Sequence, residues 1–173
     1  NKFKICSKVQ EGINLVIFSC NISTQIERNY SNIFVHFMQA LNAKKQISLL
    51  LDNLYNTVAI VGTRQPSDYG IEMTKLIASG LADKRIVVSG LAEGIDAVAH
   101  QSIIDNGGKT IAVLGSGIDY CYPSKNLDLY NEIKKNHLLI SEYPNKSTPD
   151  KEHFPFRNRI VATLAEAVIV TEA

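Results

Sequence analysis

A chain of 173 residues that is 45% hydrophobic and 20% charged is ordinary for a soluble globular protein and long enough for one domain with a full core. Its 18 Lys/Arg and 17 Asp/Glu leave a formal net charge of +1, so no global field draws polyanions to it. Three cysteines, Cys6, Cys20 and Cys121, are odd in number and widely spaced, which fits a reducing cytoplasm and argues against a zinc site.

Residues 1–53 hold six Lys/Arg against three Asp/Glu, and residues 54–173 hold twelve against fourteen, so an anion site in the second part has to be made locally. The first part reads as an accessory segment without a motif. Its longest apolar run, INLVIFSC (13–20), is far too short to span a bilayer, so no membrane association is expected. Beyond it, Ile33, Phe34, Phe37 and Leu41 recur at helical spacing, and the apolar run before them suits a strand.

The second part, residues 54–173, has a different character. TVAIVG, RIVVSG, TIAVLG, HLLISE and AVIVTE are short, β-branched and nearly continuous in apolar character, as a parallel sheet covered on both faces requires. Between them lie the helical patterns IEMTKLIASGLAD, GIDAVAHQSIIDNG, NLDLYNEIKKN and RNRIVATLAEA. Strict alternation predicts an α/β fold: a doubly wound, mainly parallel sheet with helices on both faces. Ligands of such sheets bind outside the carboxyl ends of the strands, which directs attention to the loops there.

The first of these loops, GTRQPSDYG, offers Gly62 for a tight turn, Thr63 and the following amides for an anion, and Arg64 as a guanidinium fork. A turn glycine followed by a solvated arginine explains the same residues. In SGLAEGID, Ser89 and Gly90 stand at a strand end where backbone amides can form an anion nest, while Asp96 suits the acid that a helix N-terminus favours. His100, one turn on, reads as a packed or capping residue. GSGIDY starts like a dinucleotide fingerprint at Gly115, but Tyr120 replaces the third glycine, so no nicotinamide cofactor is expected, while a close backbone approach to a phosphate at Gly115 stays open. CYPSKN then places Lys125 near the same edge.

The last loop ends in FPFRNRI (154–160), where Pro155 suits a first helical turn that also carries Arg157 and Arg159. Cations there oppose the helix dipole, at about 0.3–1 kcal/mol each, unless an internal carboxylate or an outside anion offsets them. Arg157 shares the apolar face of Ile160, Val161 and Leu164, with Glu142 or Asp96 as its internal candidates; Arg159 lies about 200° away on the wetter side. Lys151, Phe154 and Arg157 recur at intervals of three, and Arg64 converges on them from the first loop. Cations around an aromatic are what single-stranded nucleic acid needs, phosphates on the charges and a base on the ring. A phenylalanine that staples the loop to the sheet is the alternative.

Together, VAIVGTR, SGLAEGIDAVAH, GGKTIAVLGSGIDYCYPSKN, SEYP and HFPFRNRIVATL resemble the DNA-processing protein A (DprA/Smf) family, in matching order through residues 57–172. The resemblance implies a Rossmann-like fold that binds single-stranded DNA, protects incoming strands in natural transformation and loads the recombinase RecA. It implies no catalytic reaction, metal or cofactor, and a cytoplasmic protein. It carries the DNA pocket onto Arg64, Lys151 and Phe154; a basic residue used after the tyrosine–proline pair falls on Ser124, with Lys125 next to it. Residues 1–53 do not resemble the family's N-terminal region, and Thr163 and Ala165 replace the usual Gly and Ser. Family members continue past VIVTEA, so the chain is expected to be C-terminally truncated and to lack part of the surfaces for a homodimer and for RecA. Two other expectations compete: a nucleotide phosphoribohydrolase on a similar layout, whose PGGxGTxxE motif has no counterpart here, and a truncated remnant without function.

Overall fold

A computed structural model describes residues 56–173 in full and residues 4–7 and 16–19 as backbone strands. In chain order the elements are β1 (Lys4–Ser7), β2 (Val16–Ser19), β3 (Thr57–Gly62), α1 (Asp68–Leu81), β4 (Ile86–Ser89), α2 (Ile95–Asp105), β5 (Lys109–Leu114), α3 (Leu127–Asn136), β6 (Leu138–Ser141), α4 (His153–Leu164) and β7 (Ala167–Glu172). The five apolar runs are β3 to β7, and the four helical patterns are α1 to α4. One apolar run of the accessory segment is β2; the helical stretch at residues 33–41 lies outside the described residues.

Alternation within the strands sorts their side chains onto two helical layers. Ala59, Val88, Ile111, Val113 and Ile140 meet Ile160, Val161 and Leu164 of α4 on one face. Ile60, Val87, Ala112, Leu114 and Leu139 point the other way, toward Ala78 of α1, Ile95, Ala99 and Ile103 of α2, and Leu129 and Ile133 of α3. Fully burying each aliphatic side chain stabilises by about 1.5–3 kcal/mol, so a strand apolar on both faces is held only between two layers. This is why continuous rather than alternating apolar runs appear in the sequence.

Strand order across the sheet is β1-β2-β7-β3-β4-β5-β6. The five strands from β7 to β6 run parallel. β2 joins antiparallel to β7, with Ile17 opposite Ile169, and β1 joins antiparallel to β2. The chain advances from β3 through β6 in one direction and then crosses back through α4 to place β7 on the other side of β3. That reversal makes the carboxyl edge beside β3 the topological switch point, where the loops after β3 and before α4 diverge and leave a crevice. No helix among the described residues is long and apolar enough to cross a membrane.

Candidate nucleic-acid interface

The crevice is a cleft of about 600 Å³, with Gly62 and Arg64 after β3, Ala92 and Asp96 at the start of α2, Tyr122, and Lys151, Phe154 and Arg157 on its walls. A smaller recess of about 40 Å³ adjoins it, bounded by Gly90 and Gly115 at the ends of β4 and β5. The volume of the main cleft falls within the range of ordinary ligand sites, about 300–1,000 Å³.

Arg64 reaches this cleft because the loop before it is pinned. The Thr63 amide donates to Glu172 O at 2.8 Å, and Thr63 O accepts from the Ile95 amide at 3.1 Å. Thr63 Oγ1 accepts from the Gln65 amide at 3.2 Å. These bonds spend the Thr63 backbone on the neighbouring elements, so the expected anion-facing amide at Thr63 is corrected to a structural one. The Arg64 side chain is left exposed, with its guanidinium 5.4 Å from the centroid of the Phe154 ring. No ion pair neutralises Arg64 or Lys151 among the described residues.

Helix α4 begins at His153, two residues ahead of the expected start at Pro155, and Pro155 falls within the first turn, where its missing N–H has no intrahelical role. This start turns Phe154 toward the sheet. Its ring lies over Gly115, where an added Cβ would sit 2.7 Å from Phe154 Cδ1. Tyr122 stands beside it, ring centroids 5.3 Å apart and planes inclined by 31°. His153 stacks on Tyr143 at 3.9 Å and its Nδ1 donates to Gly115 O at 3.2 Å, which fixes the turn that presents Phe154. The close backbone approach expected at Gly115 is therefore made by the chain's own phenylalanine and not by a phosphate.

Arg157 resolves differently from Arg64. It is 3% exposed, and Nη1 donates to Gly90 O at 2.6 Å and to Val113 O, while Nε donates to Asn158 Oδ1 at 3.2 Å. An added Cβ on Gly90 would lie 2.6 Å from Arg157 Cζ, so only glycine leaves room for the guanidinium. Asp96 faces the same position and accepts from the Gly90 amide at 3.1 Å and the Ala92 amide at 3.4 Å. Burial pushes the Asp96 carboxyl up from its ordinary range, and Arg157 is the main influence opposing that. Burial likewise pulls the Arg157 guanidinium down, Asp96 draws it back up, and Arg64 adds a repulsion. Two mutually compensating charges thus form the floor of the cleft. Ser89 completes it, Oγ donating to Ile60 O at 2.6 Å. The anion nest expected at Ser89 and Gly90 is corrected: the Gly90 amide is given to Asp96 and its carbonyl to Arg157, which leaves neither group for a phosphate.

The two remaining cations lie outside the cleft. Arg159 pairs with Glu142 and covers the exposed Phe156 ring at 4.4 Å, and Lys125 pairs with Glu93 at 3.2 Å on the surface. The start at His153 moves Arg157 and Arg159 from the expected first turn into the second, and both are offset from within, one by strand-end carbonyls and Asp96 and the other by Glu142. What converges in the open cleft is Arg64, Lys151 and Phe154. Tyr122, which borders both cavities, carries no signal of periodicity or spacing in the sequence. His100 is fully buried, with Nδ1 bonded to Thr110 Oγ1 at 2.7 Å, which agrees with a packed residue. Among the described residues no group of three or more His, Cys, Asp and Glu side chains is placed to hold a metal ion.

Residues 39–173 match the family model of the DNA recombination-mediator protein A. The chain is 48% identical over 116 residues to DNA processing protein DprA of Streptococcus pneumoniae, covering 67% of this chain and 41% of that protein. It is 50% identical over 117 residues to protein Smf of Synechocystis sp., covering 67% and 29% respectively. The chain thus spans less than half the length of these relatives. Among solved structures, one addressing the single-stranded DNA binding mode of DprA from Helicobacter pylori superposes with a TM-score of 0.65 at 26% identity, over 98% of this chain and 68% of that one. S. pneumoniae DprA superposes with a TM-score of 0.64 at 46% identity, over 67% of this chain and 40% of that one. The parallel sheet, the order of the strand-end motifs and the match over residues 39–173 agree, and the chain belongs to the DNA recombination-mediator protein A (DprA/Smf) family.

Proposed function

We propose that this chain binds single-stranded DNA in the cleft at the carboxyl edge of β3, with bases against Phe154 and phosphates at Arg64 and Lys151. The observation that carries this is the pair of cations without ion-pair partners among the described residues, beside a half-buried aromatic ring in a cleft of about 600 Å³. Phosphate attracts the cations, and any base presents a π-face, so the arrangement favours nucleic acid without sequence preference. A duplex keeps its bases stacked and out of reach of a recessed ring, whereas an unpaired strand can insert one. Arg157 and Asp96 hold the floor in shape, and Gly62, Thr63, Ser89, Gly90 and Gly115 give that floor its close packing. We assign Lys125 and Arg159 to contacts with the strand outside the cleft, at the cost of their ion pairs with Glu93 and Glu142.

The biological role we assign is that of the family resemblance: protection of single strands in DNA uptake and assistance in loading RecA, without a catalytic step, in the cytoplasm, with a homodimer as the expected assembly. The relative described by its single-stranded DNA binding mode supports the ligand class. Anisotropy of a labelled oligothymidylate against a duplex of equal length, at fixed salt, tests the proposal, with nucleotide hydrolysis as the control for an enzyme. Preference for the single strand, lost in Arg64→Ala and Lys151→Ala, is expected. Equal affinity for the duplex, or nucleotide hydrolysis by the wild-type chain, overturns it.

A further inference from the structure

Tyr122 borders both cavities, and its ring is 43% exposed. The loop that carries it is tied down along its length. Ser116 Oγ donates to Tyr120 O at 3.0 Å, Tyr130 Oη donates to Ile118 O at 2.6 Å, and Asn126 Nδ2 donates to Leu91 O at 3.0 Å and Ala92 O at 3.2 Å. Pro123, the next residue, is buried. A ring held in place this firmly is presented rather than loose. Its hydroxyl makes no hydrogen bond among the described residues, so the phenol is not anchored through its polar end.

Phe154 offers less open surface. Gly115 lies under its ring edge, the Arg64 guanidinium stands 5.4 Å from its centroid, and Tyr122 flanks it at 5.3 Å. With centroids 5.3 Å apart and planes inclined by 31°, the two rings partly overlap in a tilted, offset contact, and Tyr122 is the more exposed of the two. We infer that Tyr122 is a second base-stacking platform, so that one strand places a base on the open face of Tyr122 as well as one at Phe154. This rests on the single-stranded DNA proposal above. Stacking of this kind is sequence-tolerant, because every base has a π-face and the recognition uses no base edge.

Three variants, Tyr122→Ala, Tyr122→Phe and Arg64→Ala, are compared with the wild type for oligothymidylate affinity, melting temperature and intrinsic fluorescence. The chain has seven tyrosines and no tryptophan, so its emission is tyrosine emission and a stacked base quenches it. Tyr122→Ala is expected to weaken binding by about 5- to 150-fold, the usual worth of one stacked base, with the melting temperature held. Tyr122→Phe is expected to restore most of the affinity while losing part of the DNA-induced quenching. Wild-type affinity in Tyr122→Ala, or full quenching in Tyr122→Phe, overturns the inference. Loss of affinity only in step with loss of melting temperature makes Tyr122 a packing residue and overturns it as well. If the wild type binds and Arg64→Ala does not, while Tyr122→Ala is indifferent, the inference alone fails. If the wild type binds no single strand, the inference and the proposal beneath it fail together.

Discussion

Replacing Arg157 by lysine keeps the positive charge opposite Asp96 but removes the planar fork that reaches two strand ends at once. Nη1 donates to Gly90 O and Val113 O, and Nε donates to Asn158 Oδ1. An ammonium can serve one of those carbonyls. A hydrogen bond from a charged donor is worth about 1.5–3 kcal/mol, and the cation still offsets Asp96, so the loss falls below the 3–5 kcal/mol that follows deletion of one buried charge. About 2–3 kcal/mol is expected, which for a chain of this length lowers the melting temperature by about 5–10 °C. Thermal unfolding and oligothymidylate anisotropy on the same preparation measure both quantities. The expected result is a lower melting temperature with nearly unchanged affinity of the folded protein. An unchanged melting temperature with a tenfold loss of affinity would mean that Arg157 grips phosphate, and would refute the assignment of this residue to the floor of the cleft.

Binding should weaken gently with salt. Among the described residues two cations without ion pairs, Arg64 and Lys151, line the cleft, and single strands lose affinity with a log–log slope of about −0.7 per neutralised phosphate, so a slope of about −1.4 is expected in a titration of anisotropy against salt. Acid should destabilise the fold through His100. Burial, aided by His137 and Arg157, lowers its pKa from 6.5 to about 3, so below pH 6.5 the unfolded chain takes up a proton that the folded chain refuses. Stability is complete above that pH and falls by about 1.4 kcal/mol per unit on the way toward 3, or about 2.7 kcal/mol by pH 4.5. His100→Asn, which retains a donor toward Thr110, should flatten the melting temperature against pH relative to the wild type. Gly115→Ala should displace the Phe154 ring, lowering both stability, by about 1–3 kcal/mol, and oligothymidylate affinity. Retention of both would show that the ring is free to move away.

Much of the architecture is local enough to be read directly. A run such as TVAIVG is apolar at every position, and only a strand covered on both faces tolerates that, so the parallel sheet and its two helical layers follow from residue type alone. Glycines at the ends of β3, β4 and β5 mark the edge where the site lies, and Lys151 and Phe154 lie one turn apart on the approach to α4. The convergence of Arg64 upon them follows from βα alternation, which brings successive strand ends to a common edge.

What those glycines make room for is not a local property. Gly90 reads equally as a phosphate nest and as space for a guanidinium, and the choice rests on Arg157, 67 residues away in the chain. Gly115 reads equally as a close approach to a ligand and as a seat for Phe154. Arg157 and Arg159 have nearly the same sequence surroundings, yet one donates to the ends of β4 and β5 and the other pairs with Glu142 on the surface. Tyr122 has no periodicity to betray it, because a loop side chain acquires its neighbours only when the strands behind it are assembled. Periodicity and residue type report on which face of an element is apolar, a matter of the nearest few residues. The partner of a buried charge, and hence the number of cations left for a ligand, is decided by which distant backbone groups the crossover of α4 brings within hydrogen-bonding distance.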